Sequence, residues 1–352
     1  MHKYAVFIGR FQPFHVGHLQ LVQQALQEAE RLIIVMGSPH SCSSLRNPFT
    51  LEERKKIIQL SLSIINPERY IFLSVADSAY NLSDWIDRLE TQVNIITQNS
   101  LPLLVGHYKD ESSFYLSCFP QWPLHAFELQ AGGISATEIR NLLFAGEKNK
   151  AFAHLPQSCW GYLESWMQGS QYIRLVEEYN YVIGYKKQWE SAPYPPIFVT
   201  TDALLYINQH ILVIRRKQHP GKGLLALPGG FLNPGESLEE GCYRELYEET
   251  QINLSKNELA LAFSGKQVFD HPLRDSRGRI ITHVYFFHLP KSPLPSLEAS
   301  DDASEAFWIP VNHFYKMESD FFSDHALIIK YFLNTLPTNQ NDFQKSMPSE
   351  GL

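Results

Sequence analysis

Several features that would place the chain in a specialised class are scarce or missing. Its 352 residues include four cysteines, widely spaced and without a CxxC pair, which argues against a disulfide scaffold and a cysteine-bound metal. The formal net charge is -7, whereas proteins that hold nucleic acid by bulk electrostatics are basic. No apolar run approaches the roughly eighteen residues of a membrane span, and the N-terminus does not match a signal peptide. We therefore expect a cytoplasmic protein with free thiols and neither a nucleic-acid nor a membrane partner.

Apolar and aromatic residues are plentiful, at 44% and 13% of the chain, which suffices for well-packed cores. The length exceeds that of one ordinary domain, so we expect two. The pattern changes after about residue 155, and "APYPPI" is a stiff joint that a helix cannot cross. We predict a first domain over 1–170, a helical and proline-rich linker over 171–192, a second domain over 193–337 and a flexible tail over 338–352.

The two halves predict different folds. In the first half, short apolar runs such as "YAVFIG" and "LIIVMGS" alternate with amphipathic helix patterns, which predicts a Rossmann-like α/β domain with a parallel sheet covered on both faces. Ligands bind such sheets at the carboxyl ends of the strands, where Gly9, Gly37, Asp77 and Gly106 fall. In the second half, "IFVTTDALLYI" and "ILVIRR" flank "NQH", which indicates a hairpin.

The stretch "GRFQPFHVGH" joins the first predicted strand to the first predicted helix. Gly9 lets the backbone approach a phosphate closely, and the free N–H groups at the helix start point at the same place. His15 and His18 are three residues apart, so both side chains can lie on one face and donate to phosphate oxygens. A simple tight turn with one packed and one exposed histidine is the alternative.

A second block, "GGISATEIRNLL", lies near the end of the first half. Ser135 followed by Glu138 is a capping box, which predicts a helix start. The hydroxyls of Ser135 and Thr137 and the guanidinium of Arg140 lie close to that start, and a planar guanidinium suits a polyphosphate. An ordinary capped helix with a surface arginine is the alternative.

These two blocks resemble the HxGH nucleotidyltransferase superfamily, although Ala136 stands where that family usually has a second serine. The resemblance implies that ATP is bound by a set of residues from both blocks: Gly9, Arg10, Phe11, His15, His18, Ser135, Thr137 and Arg140. Among them, His15, His18 and Arg140 are the implied catalytic residues.

The intermediate stretches "LRNPFTLEER" and "DSAYNLSDW" resemble archaeal-type nicotinamide-mononucleotide (NMN) adenylyltransferases, and more closely the bacterial two-domain form that carries a second enzyme. By this resemblance Asn81 and Trp85 hold the nicotinamide end and Arg46 lies near phosphate; Trp85 as a core aromatic is the alternative. Another phosphate acceptor, such as phosphopantetheine, also stays open.

The stretch "GGFLNPGESLEEGCYRELYEETQI" carries acidic residues at a demanding spacing. On a helix, Glu245, Glu248 and Glu249 occupy positions i, i+3 and i+4, so their carboxylates converge on one face. Such carboxylates repel one another unless a hard cation such as Mg²⁺ or Mn²⁺ joins them. An acidic solvated helix face is the alternative. We expect Arg244 to pair with Glu240 or Glu248.

With Gly230 and Glu236 at the matching offsets, this stretch resembles the Nudix box, which implies an α/β/α Nudix fold with a mixed sheet. The implied catalytic carboxylates are Glu245, Glu248 and Glu249, and the implied metal ligands are these three together with Gly230. Gln251 replaces the family's glycine, which predicts a strain of about 1 kcal/mol or a different geometry.

The segment "FDHPLRDSRGRIITHVYFF" resembles Nudix domains that hydrolyse ADP-ribose to AMP and ribose 5-phosphate. Arg274, Arg277 and Arg279 are then candidate ADP-ribose-binding residues, with a solvated hairpin loop as the alternative. The candidates for a catalytic base are Asp301, Asp302 and Glu305. A Nudix domain that only senses ADP-ribose or NAD, or that hydrolyses another nucleoside diphosphate derivative, stays open.

The resemblances together imply a bifunctional enzyme of NAD metabolism with Mg²⁺ or Mn²⁺ as its cofactor. The implied small-molecule partners are ATP, NMN, NAD and ADP-ribose. We also expect a homo-oligomer, although the sequence does not determine its size.

Overall fold

The computed structural model describes residues 1–77, 80–108, 111–127, 135–289 and 293–336, with the main chain alone at 111–112. The predicted tail 338–352 and the start of the second block, 132–134, therefore lie outside the described residues. The chain divides into two compact units, Met1–Tyr179 and a second one that begins at Asn180. This border falls within the predicted linker.

The first unit begins with alternating strands and helices, as its sequence pattern predicts. The elements that start in it are β1 (His2–Gly9), α1 (Val16–Glu28), β2 (Ala29–Gly37), α2 (Leu51–Ser61), β3 (Tyr70–Val75), α3 (Leu82–Thr97), β4 (Leu103–Gly106), β5 (Leu124–Ala126), α4 (Ala136–Phe144), α5 (Lys148–Phe152), α6 (Trp160–Trp166) and α7 (Ser170–Lys187). Short 3-10 helices lie at Pro67–Arg69, Glu111–Ser117 and Gln157–Cys159.

The described strands of this unit form a five-stranded sheet in the order β3-β2-β1-β4-β5. All of its pairings are parallel, so the predicted parallel sheet is confirmed. Gly9 pairs with Met36, and Gly37 with Val75. The carboxyl ends of the central strands therefore meet at one edge of the sheet, and the loops that follow them supply the first candidate site.

The central strand β1 is apolar on both of its faces because both are covered. Ala5 and Phe7 belong to one hydrophobic core, whereas Val6 and Ile8 belong to another on the opposite face. Successive strand residues point to opposite faces, so the uninterrupted run "YAVFI" is what a strand between two helical layers requires.

The second unit is built mainly of strands. Its elements are β6 (Ile197–Ile207), β7 (His210–Arg216), β8 (Leu225–Ala226), β9 (Gly229–Phe231), α8 (Leu238–Thr250), α9 (Lys256–Ala262), β10 (Phe263–Phe269), β11 (Arg279–Leu289), β12 (Ala303–Pro310), α10 (Val311–Phe314) and α11 (His325–Thr335), with a 3-10 helix at Glu318–Asp320. The predicted hairpin is β6–β7. Its two turn residues, Asn208 and Gln209, have φ of 47° and 60°, the positive values that tight hairpin turns require.

The described strands of this unit form a seven-stranded mixed sheet. Its main path is β10-β11-β6-β7-β12, β8 pairs with β7, and β9 pairs with β6. The β11–β6 pairing is parallel and the others are antiparallel. Leu246 of α8 packs in a core with Leu205 of β6. Phe332 of α11 lies 5.2 Å from Phe286 of β11, between ring centroids. The mixed sheet and its helices confirm the predicted α/β class of this half.

The four cysteines, Cys42, Cys118, Cys159 and Cys242, are free thiols as expected. Among the described residues, no helix combines the length and the apolar character that crossing a membrane would require.

Candidate active sites

Positive charge is concentrated where β1 ends. Burial, followed by the neighbouring charges of Arg46 and Arg140, lowers the pKa of Arg10 to about 9, and Asp77 opposes this shift. Burial and Arg46 likewise lower the pKa of Arg140 to about 10. Guanidinium groups that lie this close repel one another, and bound phosphate oxygens would relieve that repulsion. This edge of the sheet is therefore suited to a polyphosphate.

Helix α1 begins with a reciprocal pair of histidines. The Nδ1 atom of His15 accepts a hydrogen bond from the N–H of Gly17, and the Nδ1 atom of His18 accepts one from the N–H of His15, both at 3.2 Å. A neutral imidazole that accepts at Nδ1 carries its proton on Nε2. The two ring centroids lie 3.7 Å apart with an interplanar angle of 30°. Capping the helix thus orients two neighbouring Nε2–H donors.

Arg140 joins the two sequence blocks across 128 residues. Its Nη1 donates to the carbonyl oxygen of Gln12 at 2.7 Å, its Nε to that of Leu45 at 2.9 Å, and its Nη2 to the hydroxyl of Thr137 at 3.0 Å. Ser135 caps α4 and exchanges hydrogen bonds with Glu138, as predicted. The first turn of α4 is therefore held beside the loop that carries the histidines.

Close packing around the first loop explains two of the predicted residues. A Cβ on Gly9 would lie 2.9 Å from the ring of Phe11, so the chain needs glycine at this point. Phe11 is itself buried and has a φ of 52°. Its ring lies 5.1 Å from that of His18, between centroids. Gly9 and Phe11 thus shape the loop and support the histidine ring.

The predicted nicotinamide-binding residues lie at the start of α3. Asn81 is its N-cap, and the Oδ1 atom accepts from the N–H of Asp84 at 3.2 Å. Trp85 is half-buried and lies 5.9 Å from Phe119, between ring centroids. Trp85 therefore packs on the core while keeping part of its surface exposed, so a role in holding the pyridine ring stays a prediction.

In the second unit, Arg244 binds the carboxylates of the acidic motif. It forms two hydrogen bonds with Glu236, at 2.9 and 2.7 Å, and its Nη1 donates to Glu245 at 2.8 Å and to Glu248 at 2.9 Å. The predicted partner Glu248 is confirmed. The other alternative, Glu240, is not paired with Arg244 in the described hydrogen bonds; its carboxylate accepts from the N–H and hydroxyl of Ser237 at the helix start. The hydrogen bonds from Arg244 lower the pKa of Glu236 to about 2.

Glu249 is held differently from its neighbours. Its side chain is nearly inaccessible, with 3% exposure for the residue, and it accepts a hydrogen bond from the N–H of Gly229 at 2.8 Å. Burial raises the pKa of Glu249 well above its usual range, and Glu245 and Asp202 add to that shift. A Cβ on Gly230 would overlap the carboxylate of Glu245. The two glycines of β9 therefore admit carboxylates where a side chain would exclude them.

Gln251 keeps the left-handed geometry that the family's glycine usually supplies. It is the C-cap residue of α8, with a φ of 45° and a ψ of 34°, and its N–H donates to the carbonyl oxygen of Tyr247 at 3.0 Å. The alternative of a different geometry is therefore not observed, and the retained geometry implies the expected steric penalty, which glycine would not have.

The three arginines of the polar hairpin segment already contact acidic residues or backbone of their own unit. Arg274 forms two hydrogen bonds with Asp324, at 3.0 and 2.9 Å. Arg277 forms two with Asp275, at 3.0 and 2.8 Å. Arg279 contacts the main chain and carboxylate of Asp270. Their role toward ADP-ribose stays a prediction.

Comparisons with known proteins place both halves in described families. Residues 6–142 match the cytidylyltransferase-like family, and residues 197–332 match the NUDIX domain. A nicotinamide/nicotinic acid mononucleotide adenylyltransferase of Acinetobacter baylyi is 38% identical over 179 residues, which cover 50% of this chain and 93% of that protein. An ADP-ribose pyrophosphatase of Methanocaldococcus jannaschii is 36% identical over 135 residues, 38% of this chain and 72% of that protein.

A solved structure spans both halves at once. The bifunctional NMN adenylyltransferase/ADP-ribose pyrophosphatase of Francisella tularensis is 38% identical, with a TM-score of 0.91 over 95% of this chain and 99% of that one. The chain belongs to this bifunctional adenylyltransferase–Nudix family. A second structure of the Francisella protein contains AMP and a manganese ion and has a TM-score of 0.90. The predicted family and enzyme class are thereby confirmed.

The Nudix domain has a donor set that suits a divalent cation. Glu245, Glu248 and Glu249 offer carboxylate oxygens, and Glu249 is buried with an acidic neighbour, Asp202, close enough to raise its pKa. Hard divalent cations prefer such oxygen ligands. Among the described residues no three acidic, histidine or cysteine side chains already form a metal-binding group. Arg244 forms ion pairs with Glu245 and Glu248.

Asp202 was missed by the sequence analysis. It lies in the middle of β6, is buried, and accepts a hydrogen bond from the hydroxyl of Thr282. Its charge contributes to the raised pKa values of both Glu245 and Glu249. The signal was the single acidic residue in the apolar strand "IFVTTDALLYI", because acidic side chains are rarely buried unless they are paired.

The candidate bases of the Nudix domain lie near the C-terminal end of α8. The N–H of Ser300 donates to the main-chain oxygen of Glu249 at 3.3 Å, which brings the following exposed residues, Asp301 and Asp302, close to the helix end. Glu305 is paired with Arg215 at 2.7 Å. The structure favours Asp301 or Asp302 over Glu305, and the identity of the base stays a prediction.

Proposed function

We propose that the first domain transfers the adenylyl group of ATP to nicotinamide mononucleotide. A phosphate oxygen of the mononucleotide forms a bond to the α-phosphorus of ATP, the bond from that phosphorus to the β-phosphate oxygen breaks, and NAD and pyrophosphate leave. The nucleophile is already an anion, so positioning and charge stabilisation suffice. The observation that carries this proposal is a group of three arginines at the loop of His15 and His18. Burial and the charge of Arg46 lower the pKa of both Arg10 and Arg140, and Arg140 donates to the main-chain oxygen of Gln12 in that loop.

The histidines and the arginines have different roles in this transfer. The two Nε2–H donors belong to neighbouring imidazole rings, so both can donate hydrogen bonds to the leaving phosphate as negative charge develops on it. The arginines bind the triphosphate. Magnesium, when bound with ATP, supplies further positive charge to the phosphates. Asn81 and Trp85 are then the residues for the pyridine ring of the acceptor, with Trp85 contributing a face for a cation.

The acceptor is tested by measuring pyrophosphate release from ATP with nicotinamide mononucleotide, nicotinic acid mononucleotide or phosphopantetheine. We expect product with at least one of the two pyridine mononucleotides and none with phosphopantetheine. Turnover with phosphopantetheine alone would contradict the proposal. The ratio of kcat/KM between the two mononucleotides would decide which one the domain prefers.

The second domain hydrolyses ADP-ribose to AMP and ribose 5-phosphate. Water attacks one phosphorus of the diphosphate, the bond from that phosphorus to the bridging oxygen breaks, each product keeps one phosphate, and two protons are released when both products are dianions. A divalent cation, Mg²⁺ or Mn²⁺, would be held by Glu245, Glu248 and Glu249 with the main chain at Gly230, and would supply positive charge and an activated water. Arg244 orients Glu236, Glu245 and Glu248 through its hydrogen bonds, and burial keeps Glu249 in place.

The Nudix assignment is tested with a Glu249→Gln variant of the full chain. We expect AMP production from ADP-ribose to fall by at least about 100-fold, as for lost metal-site groups, while NAD synthesis stays at the wild-type level. Glu239→Gln is the matched control, because Glu239 is an exposed glutamate of the same helix whose carboxylate accepts a hydrogen bond from the hydroxyl of Tyr243 rather than from Arg244. A fall in both activities of a folded Glu249→Gln variant would contradict two independent sites.

A sensing role for the Nudix domain is the second candidate. The observation that disfavours it is the complete set of Glu245, Glu248 and Glu249, because a domain that only binds a ligand has no need of a cation site. Metal-dependent AMP release from ADP-ribose by the wild type would exclude a binding-only domain. A cytoplasmic location fits the free cysteines, and association into a homo-oligomer is proposed alongside it and is tested by sedimentation.

A further inference from the structure

A cavity of about 390 Å³ opens in the second unit, away from the acidic motif. Its lining includes Trp189, Glu190 and Tyr194 together with Phe198, Arg277 and Arg279. Its volume lies within the range of small-molecule sites. The first three residues come from the segment between α7 and β6, around the region where the sequence predicts a linker. This segment therefore contributes side chains to a concave surface of the Nudix unit.

Aromatic rings dominate one end of this cavity. The rings of Trp189 and Phe198 are in edge contact, with centroids 5.0 Å apart and an interplanar angle of 68°. Tyr185 supports both, at 6.4 and 6.0 Å. Trp189 nevertheless stays 41% exposed. Its position leaves aromatic surface open to a flat ligand, and stacking on such a surface contributes about 1 to 3 kcal/mol per nucleobase.

The distance between the cavity and the carboxylates matches the distance between the base and the phosphate of a nucleotide. Phe198 and Asp202 are four residues apart on β6, so they share one face of the strand at about 13 Å. Asp202 lies near Glu245 and Glu249, because its carboxylate packs against Gly229, whose N–H donates to Glu249, and Glu245 packs against the adjacent Gly230. The base of a nucleotide is joined to its phosphorus through about seven bonds of about 1.5 Å each, so base and diphosphate can occupy the two places together.

The surface between the two places is aromatic and cationic. Phe198 contacts Phe231 at 5.8 Å between ring centroids, and the guanidinium of Arg277 lies 4.9 Å from the centre of the Phe231 ring. Phe231 directly follows Gly230 in β9. Arg216 lies within electrostatic reach of both Arg277 and Glu249. A diphosphate that leads from the cavity to the carboxylates would thus pass two guanidinium groups.

We propose that this cavity binds the adenine base of the nucleoside diphosphate sugar that the Nudix carboxylates cleave, with Trp189 stacking on the base. Glu190 lines the same cavity, and its carboxylate accepts hydrogen bonds but donates none. That property favours adenine, which has an exocyclic amino group, over hypoxanthine, which has a carbonyl in the same position. The inference rests on the proposed hydrolysis of ADP-ribose and adds the element that selects the base.

The test uses the full chain with Trp189→Ala, Trp189→Phe and Glu190→Gln. For Trp189→Ala we expect KM for ADP-ribose to rise about 5- to 150-fold with kcat nearly unchanged, and Trp189→Phe to recover most of the loss. Inhibition by AMP should weaken with Trp189→Ala, whereas inhibition by ribose 5-phosphate should not. Glu190→Gln should reduce the preference for ADP-ribose over inosine diphosphate ribose.

Phe263→Ala is the matched control, since Phe263 is an aromatic residue of the same unit with 45% exposure and does not line the cavity. Unchanged KM and unchanged AMP inhibition in both Trp189 variants would overturn the inference while leaving the hydrolase assignment intact. Weaker inhibition by ribose 5-phosphate instead of AMP would overturn it in favour of the terminal ribose. A wild type that leaves ADP-ribose untouched would contradict the proposed function itself.

Discussion

The guanidinium of Arg54 donates a hydrogen bond to the main-chain oxygen of Arg10 at 2.8 Å, across 44 residues. The same nitrogen donates to the oxygen of Gly37 at 2.7 Å, and the other terminal nitrogen to that of Ser38 at 3.0 Å. Arg54 is 1% exposed, and burial lowers its pKa to about 10. One buried cation of α2 therefore ties together the loops that follow β1 and β2.

Replacing Arg54 with methionine should destabilise the first domain and impair adenylyl transfer. Three carbonyl oxygens would lose their donor, one in a buried and two in part-buried hydrogen bonds. Each fully buried loss costs about 1 to 3 kcal/mol, so we expect about 2 to 5 kcal/mol in all. Arg54→Lys should recover little, because one ammonium group cannot span the three acceptors. Urea unfolding and the KM for ATP measure the two effects. Arg31→Met, which removes a single exposed hydrogen bond, should change neither by much.

His15→Asn separates helix capping from catalysis. Asparagine is among the best N-cap residues, so its Oδ1 atom can take over the hydrogen bond from the N–H of Gly17 while the Nε2–H donor is lost. We expect kcat/KM for NAD synthesis to fall about 100- to 1,000-fold, with little change in the melting temperature. The exposed His40→Asn is the control. Retained activity in a folded His15→Asn variant would exclude the proposed role of this donor.

Gln251→Gly should stabilise the Nudix domain. The substitution removes the steric penalty of a left-handed residue but increases the entropy of the unfolded chain, and we expect a net gain of about 0.5 to 1 kcal/mol. Hydrolysis of ADP-ribose should persist. Gln59→Gly makes the same exchange at an exposed position within α2 and should instead cost about 1 kcal/mol. A higher melting temperature for Gln251→Gly and a lower one for Gln59→Gly would support the prediction. A destabilised Gln251→Gly variant would contradict it.

Stability in acid should depend on His325, whose Nδ1 atom accepts from the N–H of Leu227 at 3.0 Å. Burial lowers the pKa of His325 from its ordinary value of 6.5, although Asp202 and Asp324 oppose the shift. The unfolded chain then binds the extra proton below that value, so the free energy of unfolding should fall by up to about 1.4 kcal/mol per pH unit as the pH drops.

The measurement is urea unfolding at about pH 5.5 and about pH 8 for the wild type and for His325→Asn, whose Oδ1 atom can accept the same hydrogen bond. The variant should lose less stability on acidification than the wild type does. His313→Asn, at an exposed position of α10, should behave as the wild type. Identical acid sensitivity in the wild type and His325→Asn would refute the role of this histidine.

The sequence indicated both candidate sites because their signals are local. The helix start at Ala136 follows from the capping box of Ser135 and Glu138, and the three glutamates of α8 share a face because of the helical period. Strand and helix alternation likewise predicted the parallel sheet. The sequence did not reveal residues whose contacts lie far away along the chain. Asp202 is one acidic residue in an apolar strand, and Arg54 is one arginine in an amphipathic helix pattern.

The sequence by itself determined the chemical inventory of this protein: two histidines and several arginines for a polyphosphate, and three carboxylates for a cation. The histidines and the carboxylates are each spaced three or four residues apart, which places them on one face of a helix. Only the tertiary structure decided that Arg140 holds Gln12 across 128 residues, and that Trp189 and Phe198 line one cavity with Arg277. Such meetings depend on strand order and on how loops close, and no local period records them.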